Sequence, residues 1–217
     1  MVPRGLSPAG LVLVDKPAGP SSFAVVRDLR NLTGARAGHA GTLDPFATGL
    51  LLVLLGSATK LASRFVGLDK RYVTDVDLGA VSSTGDPEGV LEPREPPARD
   101  ELEAALVGLR GEVELPVPAY SAVKVGGERA YRLARRGQAV EMPVRRSVVH
   151  ELDLLDYDGR VARLDLRVGS GTYVRSIAAA LGGHCRTLRR TEVGPFRIDE
   201  ADPDSILPPE QALARLG

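Results

Sequence analysis

The stretch Gly38-His39-Ala40-Gly41-Thr42-Leu43-Asp44-Pro45-Phe46-Ala47-Thr48-Gly49 runs directly into an unbroken apolar run, Leu50 to Leu55. That pairing constrains the fold more than any other feature of the chain. Glycines tolerate positive φ and close backbone approach, so the first part is a shaped loop and not the interior of an element. Pro45 removes a backbone donor and steers Asp44 out of the α region toward extended geometry. The apolar run is a buried segment whose spacing leaves a strand and a helix-to-strand passage both open. A short carboxylate is therefore held on a stiff loop beside a buried element. Residue chemistry alone leaves two roles open for Asp44, a cap on the turn that follows or a reactive group.

A chain of 217 residues, 43% hydrophobic and 26% charged, is able to bury a core as one large domain or two small ones. One cysteine, Cys185, excludes an internal disulfide and a Cys-rich zinc site. His39, His150 and His184 are too scattered to read as metal ligands. No apolar run approaches the roughly 20 residues that span a bilayer, and the first residues lack a signal-peptide core, so the cytoplasm is the expected compartment. Net charge is zero, yet the charges are segregated. Lys124, Arg129, Arg132, Arg135, Arg136, Arg145 and Arg146 face only Glu128 and Glu141 within 124–146. The balance reverses between Asp86 and Glu103. Such segregation suits either one polyanion-facing side or two solvated surfaces.

Leu11 to Val14 reads as a strand. Ser21 or Ser22 is placed to cap a helix with Phe23, Val26, Leu29 and Leu32 on one face, ended by Gly34. Ser57 is placed to cap a second helix with Leu61 and Phe65. Thr74, Val76 and Leu78 alternate with Val73, Asp75 and Asp77, as in a strand. Asp100 with Glu103 forms the pattern of a capping box for a helix carrying Leu102, Ala105, Leu106 and Leu109. Val144 to Tyr157 and Val161 to Val168 read as strands joined by an Asp158-Gly159 turn. A helix with Val174, Ile177, Ala178 and Leu181 on one face follows, and the tail reads as an acidic segment, then a short helix.

The Gly38–Gly49 stretch closely resembles the catalytic motif of the TruB family, the tRNA pseudouridine-55 synthases of bacteria. Further motifs follow in family order. Asp15 to Ser22 keeps an Asp-Lys-Pro-x-Gly-x-Ser-Ser opening that supports the active-site loop, and Lys70 and Tyr72 keep Lys-x-Tyr. Ser82 to Asp86 resembles Thr-x-Thr-x-Asp, with Ser at its first place. Pro118, Tyr120, Ser121, Ala122 and Lys124 match the next motif, but Leu115 and Val117 replace a Gln and a Pro. Gly171, Thr172, Tyr173 and Arg175 match another, with Val168, Gly169 and Ser170 in place of Cys, Ser and Lys. Leu188 to Phe196 matches the last.

The resemblance implies an α+β pseudouridine synthase fold, a central mixed, mostly antiparallel sheet flanked by helices. It implies one catalytic domain over 1–217, with an insertion near 124–146 that closes over RNA, and essentially no room for the C-terminal RNA-binding domain of longer relatives. Asp44 becomes the catalytic carboxylate. Tyr72 lies against the target base, Leu188 packs beneath it, and Arg175 pairs with the catalytic Asp. Tyr173 belongs to the same substrate set. His39 either fills the place of the flipped uridine, holds the flipped nucleotide, or structures the loop. Lys124, Arg129, Arg132, Arg135 and Arg136 are expected on the RNA backbone, where contacts position without reading sequence. By their residue chemistry alone, Tyr72 and Leu188 also suit a core, and Arg175 a surface site at a helix start.

Cleaving the N1–C1′ bond builds positive charge on the sugar, for which a carboxylate is the natural catalyst. Attack at C1′, a glycal route and attack on the base all stay open. The implied partner is the tRNA T arm, for a monomer with no cofactor, metal, membrane or protein partner. Two rivals remain: a non-catalytic RNA-binding or tRNA-folding module, and a synthase acting on another RNA.

Overall fold

The computed structural model describes residues 8–121, 123–130, 136 and 141–217, with the main chain alone at Lys124 and Arg129. In chain order the first half runs β1 (Gly10–Lys16), α1 (Ser22–Thr33), β2 (Ala37–His39), β3 (Thr48–Leu55), α2 (Ala62–Val66), β4 (Lys70–Asp77), β5 (Ala80–Ser82), β6 (Leu91–Pro93), α3 (Arg99–Gly108) and β7 (Gly111–Pro116). There follow β8 (Lys124–Val125), β9 (Glu128–Arg129), β10 (Val144–Tyr157), β11 (Val161–Val168), α4 (Val174–Ala180), β12 (His184–Val193), β13 (Phe196–Arg197), β14 (Asp202–Leu207) and α5 (Pro209–Ala214). No helix among the described residues is long and apolar enough to cross a membrane. The chain folds into two compact units, 1–72 with 188–217, and 73–187.

In the first unit the apolar run becomes β3, buried on both faces, which accounts for its lack of a two-residue period. It pairs antiparallel with β1, from Gly10↔Leu55 to Lys16↔Gly49, and with β2, from Ala37↔Leu55 to His39↔Val53. It pairs parallel with β12 at Arg189↔Thr48 and Arg190↔Gly49. Leu11, Leu13, Leu50, Leu52, Leu54, Phe65 and Phe196 form its core, with the two phenyl rings 5.9 Å apart. Burying each such side chain contributes about 1.5–3 kcal/mol. In the tail β14 pairs with β1 at Leu11↔Leu207, a strand that the alternating acidic residues conceal.

In the second unit β10 and β11 make a long hairpin around Gly159, which adopts φ +95°, and β7 pairs antiparallel with β10. Along the first seven residues of β10 only Ser147 and Val149 are buried, so its partner β7 carries mostly exposed side chains too.

Four readings of local structure change. Ser21 alone caps α1, accepting from the Ala24 N–H, while Ser22 turns inward. Val26 and Leu29 are buried, but Phe23 and Leu32 are 64% and 76% exposed. A three-residue spacing drifts about 60° per step on a helix, so four such positions span half its circumference and only the middle pair faces the core. Ser57 makes no cap, because a 3₁₀ turn over Gly56–Leu61 precedes the short α2. Helix α3 begins earlier than its Asp100–Glu103 pattern: Ala98 is its N-cap, and the Glu101 carboxylate accepts the Ala98 N–H at 2.9 Å.

Candidate active site

Asp44 sits half-buried on the loop between β2 and β3. Its own carbonyl accepts the Ala47 N–H at 3.1 Å, so the Asp44–Ala47 turn is closed by main chain, and a strand rather than a helix follows. Three side chains and one glycine fix the loop around it.

On one side, the Ser22 hydroxyl accepts the Leu43 N–H at 2.8 Å and donates to the Leu43 carbonyl at 3.0 Å. One small side chain thus satisfies both main-chain groups of the residue before Asp44. On the other side, the Pro45 carbonyl accepts the Gly19 N–H at 2.8 Å and the Lys16 Nζ at 3.2 Å. Lys16 also donates to the Pro17 and Pro20 carbonyls, both at 2.8 Å, and is 0% exposed. Burial and the Arg190 charge lower its pKa, while the Asp44 carboxylate raises it. The Asp15–Ser22 motif is therefore the clasp of the Asp44 loop, as the resemblance implied.

Arg190, on β12, is 1% exposed and had no sequence-derived role. Its Nε donates to the Leu50 carbonyl at 2.7 Å, and its terminal nitrogens donate to the Gly41 and Thr42 carbonyls at 3.1 and 3.4 Å. Its main chain lies against Gly49, whose φ is +103°, and a Cβ there would overlap the Arg190 carbonyl. The last glycine of the loop is required on both counts. Lys70, on β4, donates to the Val66 and Leu68 carbonyls, and burial followed by the Arg190 charge lowers its pKa to about 8.

His39, at the end of β2, is half-buried, and its Nδ1 has no hydrogen-bond partner among the described residues. Burial, then Arg190, lowers its pKa below the usual imidazole value, so the ring is neutral near pH 7 and has a polar atom to offer. Tyr72 on β4 and Leu188 on β12 are buried in the same unit as Asp44.

Tyr173 and Arg175 belong to the second unit, at the start of α4. Arg175 is 3% exposed, not the surface residue that its place at a helix start suggests. It donates to the Thr84 and Tyr120 carbonyls, both at 2.8 Å, and to the Asp86 carboxylate at 3.4 Å. Asp86 also accepts from the Thr84 hydroxyl and the Glu88 N–H. The Ser82–Asp86 motif is thus the seat of a buried guanidinium, a role sequence reasoning did not assign. Leu115, standing where the family has Gln, is buried on β7.

Of the expected RNA-backbone residues, Arg132 and Arg135 lie outside the described residues, as do the side chains of Lys124 and Arg129. Arg136 is exposed and pairs with Glu128 at 2.6 Å. The insertion opens on the β8–β9 hairpin, turning through Gly126 and Gly127.

Residues 29–174 match the family model described as TruB family pseudouridylate synthase, N-terminal domain. The tRNA pseudouridine synthase B of Chromohalobacter salexigens is 44% identical over 98% of this chain and 72% of that protein. That of Ruegeria sp. is 45% identical over 91% of this chain and 68% of that protein. Among solved structures, one of a Cbf5-Nop10-Gar1 complex aligns with a TM-score of 0.68 at 29% identity. It covers 88% of this chain, and this chain spans half the length of that one.

Proposed function

From the premise that this chain belongs to the TruB family of pseudouridylate synthases, we propose that it isomerises a uridine of tRNA to pseudouridine, in the T-arm loop at position 55, with Asp44 as the catalytic carboxylate. The observation that carries this reading is the loop itself. The main chain on both sides of Asp44 is tied down by buried side chains, and Asp44 itself is half-buried. A preorganised carboxylate spends nothing on reorganisation when positive charge develops at C1′.

In the reaction the N1–C1′ bond breaks, the base turns, and a C5–C1′ bond forms. The proton leaves C5 and N1 ends protonated, so the product is an isomer and no co-reactant is consumed. The target uridine must leave its stack to reach the loop. A neutral His39 suits a contact with the flipped nucleotide, Tyr72 and Leu188 suit the faces of the base, and Tyr173 and Arg175 complete the substrate set that the motif matches assign. The resemblance gives Arg175 the role of partner to the catalytic Asp; its guanidinium meets the Asp86 carboxylate of its own unit. Lys124, Arg129, Arg132, Arg135 and Arg136 serve the RNA backbone. We place the enzyme in the cytoplasm as a monomer whose partner is tRNA.

The test is incubation with an unmodified tRNA transcript and pseudouridine mapping at nucleotide resolution. One new pseudouridine in the T loop is the expected outcome, and Asp44→Asn should lose at least about 10³-fold in rate while still binding tRNA. Retained turnover in Asp44→Asn would sink the assignment. Tight binding without modification by the native chain would leave a tRNA-binding module, and modification elsewhere a synthase for another site.

A further inference from the structure

We propose that Arg190 is a positioning residue for the reaction, setting the catalytic loop in register with the strand face that meets the target base. The proposal rests on the pseudouridine synthase reading above.

Three observations carry it. First, the Arg190 guanidinium is buried and its hydrogen bonds among the described residues all go to main-chain carbonyls. Two of those carbonyls, of Gly41 and Thr42, stand just before Asp44, and the third, of Leu50, lies in the buried part of β3. One planar group with fixed N–H directions therefore ties both ends of the loop together. Second, β12 and β3 meet in parallel at Arg190↔Gly49, where only a glycine fits against the Arg190 main chain. Third, side chains two apart on a strand share a face, and Leu188 and Arg190 are both buried on that face of β12. The residue proposed to pack beneath the base and the residue that fixes the catalytic loop are rigid neighbours on one strand.

The charge matters as well as the shape. Lys16 from β1, His39 from β2 and Lys70 from β4 all feel the Arg190 charge, and each has its protonated form disfavoured by it. Asp69 acts on Lys70 in the opposite sense. The same field favours an ionised carboxylate on the loop. Arg190 thus adds to the burial that lowers the His39 pKa, and ties the Asp44 loop to the strand that carries Leu188.

Two variants separate these effects. Arg190→Lys keeps the charge, but a single ammonium on a flexible stem cannot reproduce three directed bonds to three carbonyls. Misplacement of a reacting group by about 1 Å costs about 10²-fold. The expected result for Arg190→Lys is a single-turnover rate down about 10²-fold, with tRNA affinity within about twofold of the native chain and an unchanged acid limb of the pH–rate profile. Arg190→Met should show at least the same loss and, in addition, an acid limb moved to higher pH, because a positive charge near Asp44 is gone.

A native single-turnover rate in Arg190→Lys overturns the proposal. Loss of cooperative melting and of tRNA binding in both variants also overturns it, by making Arg190 a folding residue only. If the native chain itself modifies no uridine in tRNA, the functional reading fails first, and that outcome is distinct from an active native chain with an indifferent Arg190.

Discussion

The two units bury their basic side chains in different ways. In the first, Lys16, Lys70 and Arg190 hold main-chain carbonyls of loops and strand ends. In the second, Arg175 holds two carbonyls but also meets the buried carboxylate of Asp86. A carbonyl partner satisfies the donors and leaves the positive charge in place; a carboxylate partner offsets it. Arg190, bonded to three carbonyls, therefore leaves a positive charge beside the Asp44 loop, whereas Arg175 and Asp86 make a locally compensated pair. The difference suits the proposed chemistry, in which the catalytic carboxylate must stay ionised and fixed.

The comparison breaks most visibly at Asp86. Asp86→Asn removes a carboxylate from a guanidinium that is almost completely buried, and loss of one partner from a buried pair costs about 3–5 kcal/mol. For a chain of this size that is a fall in Tm of about 6–20 °C, measurable by thermal melting monitored by circular dichroism. A fall under about 2 °C would show that the carbonyls of Thr84 and Tyr120 suffice for Arg175, and that the two units do not differ in kind.

A milder break lies in the first unit, at Ser22. Ser22→Ala leaves the Leu43 N–H and carbonyl without their shared partner, each inside the protein. The expected cost is about 2 kcal/mol, read from urea unfolding, with no charge effect to follow. An unchanged midpoint would mean that the Lys16 and Arg190 contacts hold the loop without it.

These contrasts also mark what was legible in the sequence. Period-two alternation identifies β11, and the Asp158-Gly159 turn identifies where β10 ends, because a half-buried antiparallel strand writes its faces into the pattern. The Asp44 motif identifies its loop because glycines with positive φ and a proline admit few alternatives. By contrast, Arg190 looks like an ordinary surface cation: its burial depends on carbonyls 140 to 149 positions away in the chain, which no local window contains. Arg175 misleads for the same reason, since its acceptors lie on loops 55 to 91 positions away. Fully buried β3 conceals its type because both faces are apolar, and β14 conceals itself because both faces begin acidic or polar. The one local signal that points to Arg190 is its two-residue spacing from Leu188, which puts both on one face of β12.

The finest test of the comparison is the pH dependence of Lys70. Its folded pKa, lowered from 10.5 to about 8 by burial and then by Arg190, lies below the unfolded value. Between those two values the unfolded chain binds the extra proton, so stability rises with pH across that window. Below pH 8 both states are protonated and the cost of burying the ammonium is fully present; it is relieved as Lys70 becomes neutral. Relative to Lys70→Met, the native chain should gain about 1 kcal/mol between pH 8 and 9, read from urea unfolding at each pH. A flat difference would mean that the Val66 and Leu68 carbonyls hold the ammonium well enough to cancel its desolvation, and that the field of the first unit is weaker at Lys70 than at the Asp44 loop. In that event removal of the Arg190 charge should leave the Lys70 profile unchanged. A rising difference that shrinks without vanishing in Arg190→Met would instead trace part of the shift to Arg190, burial being the larger cause.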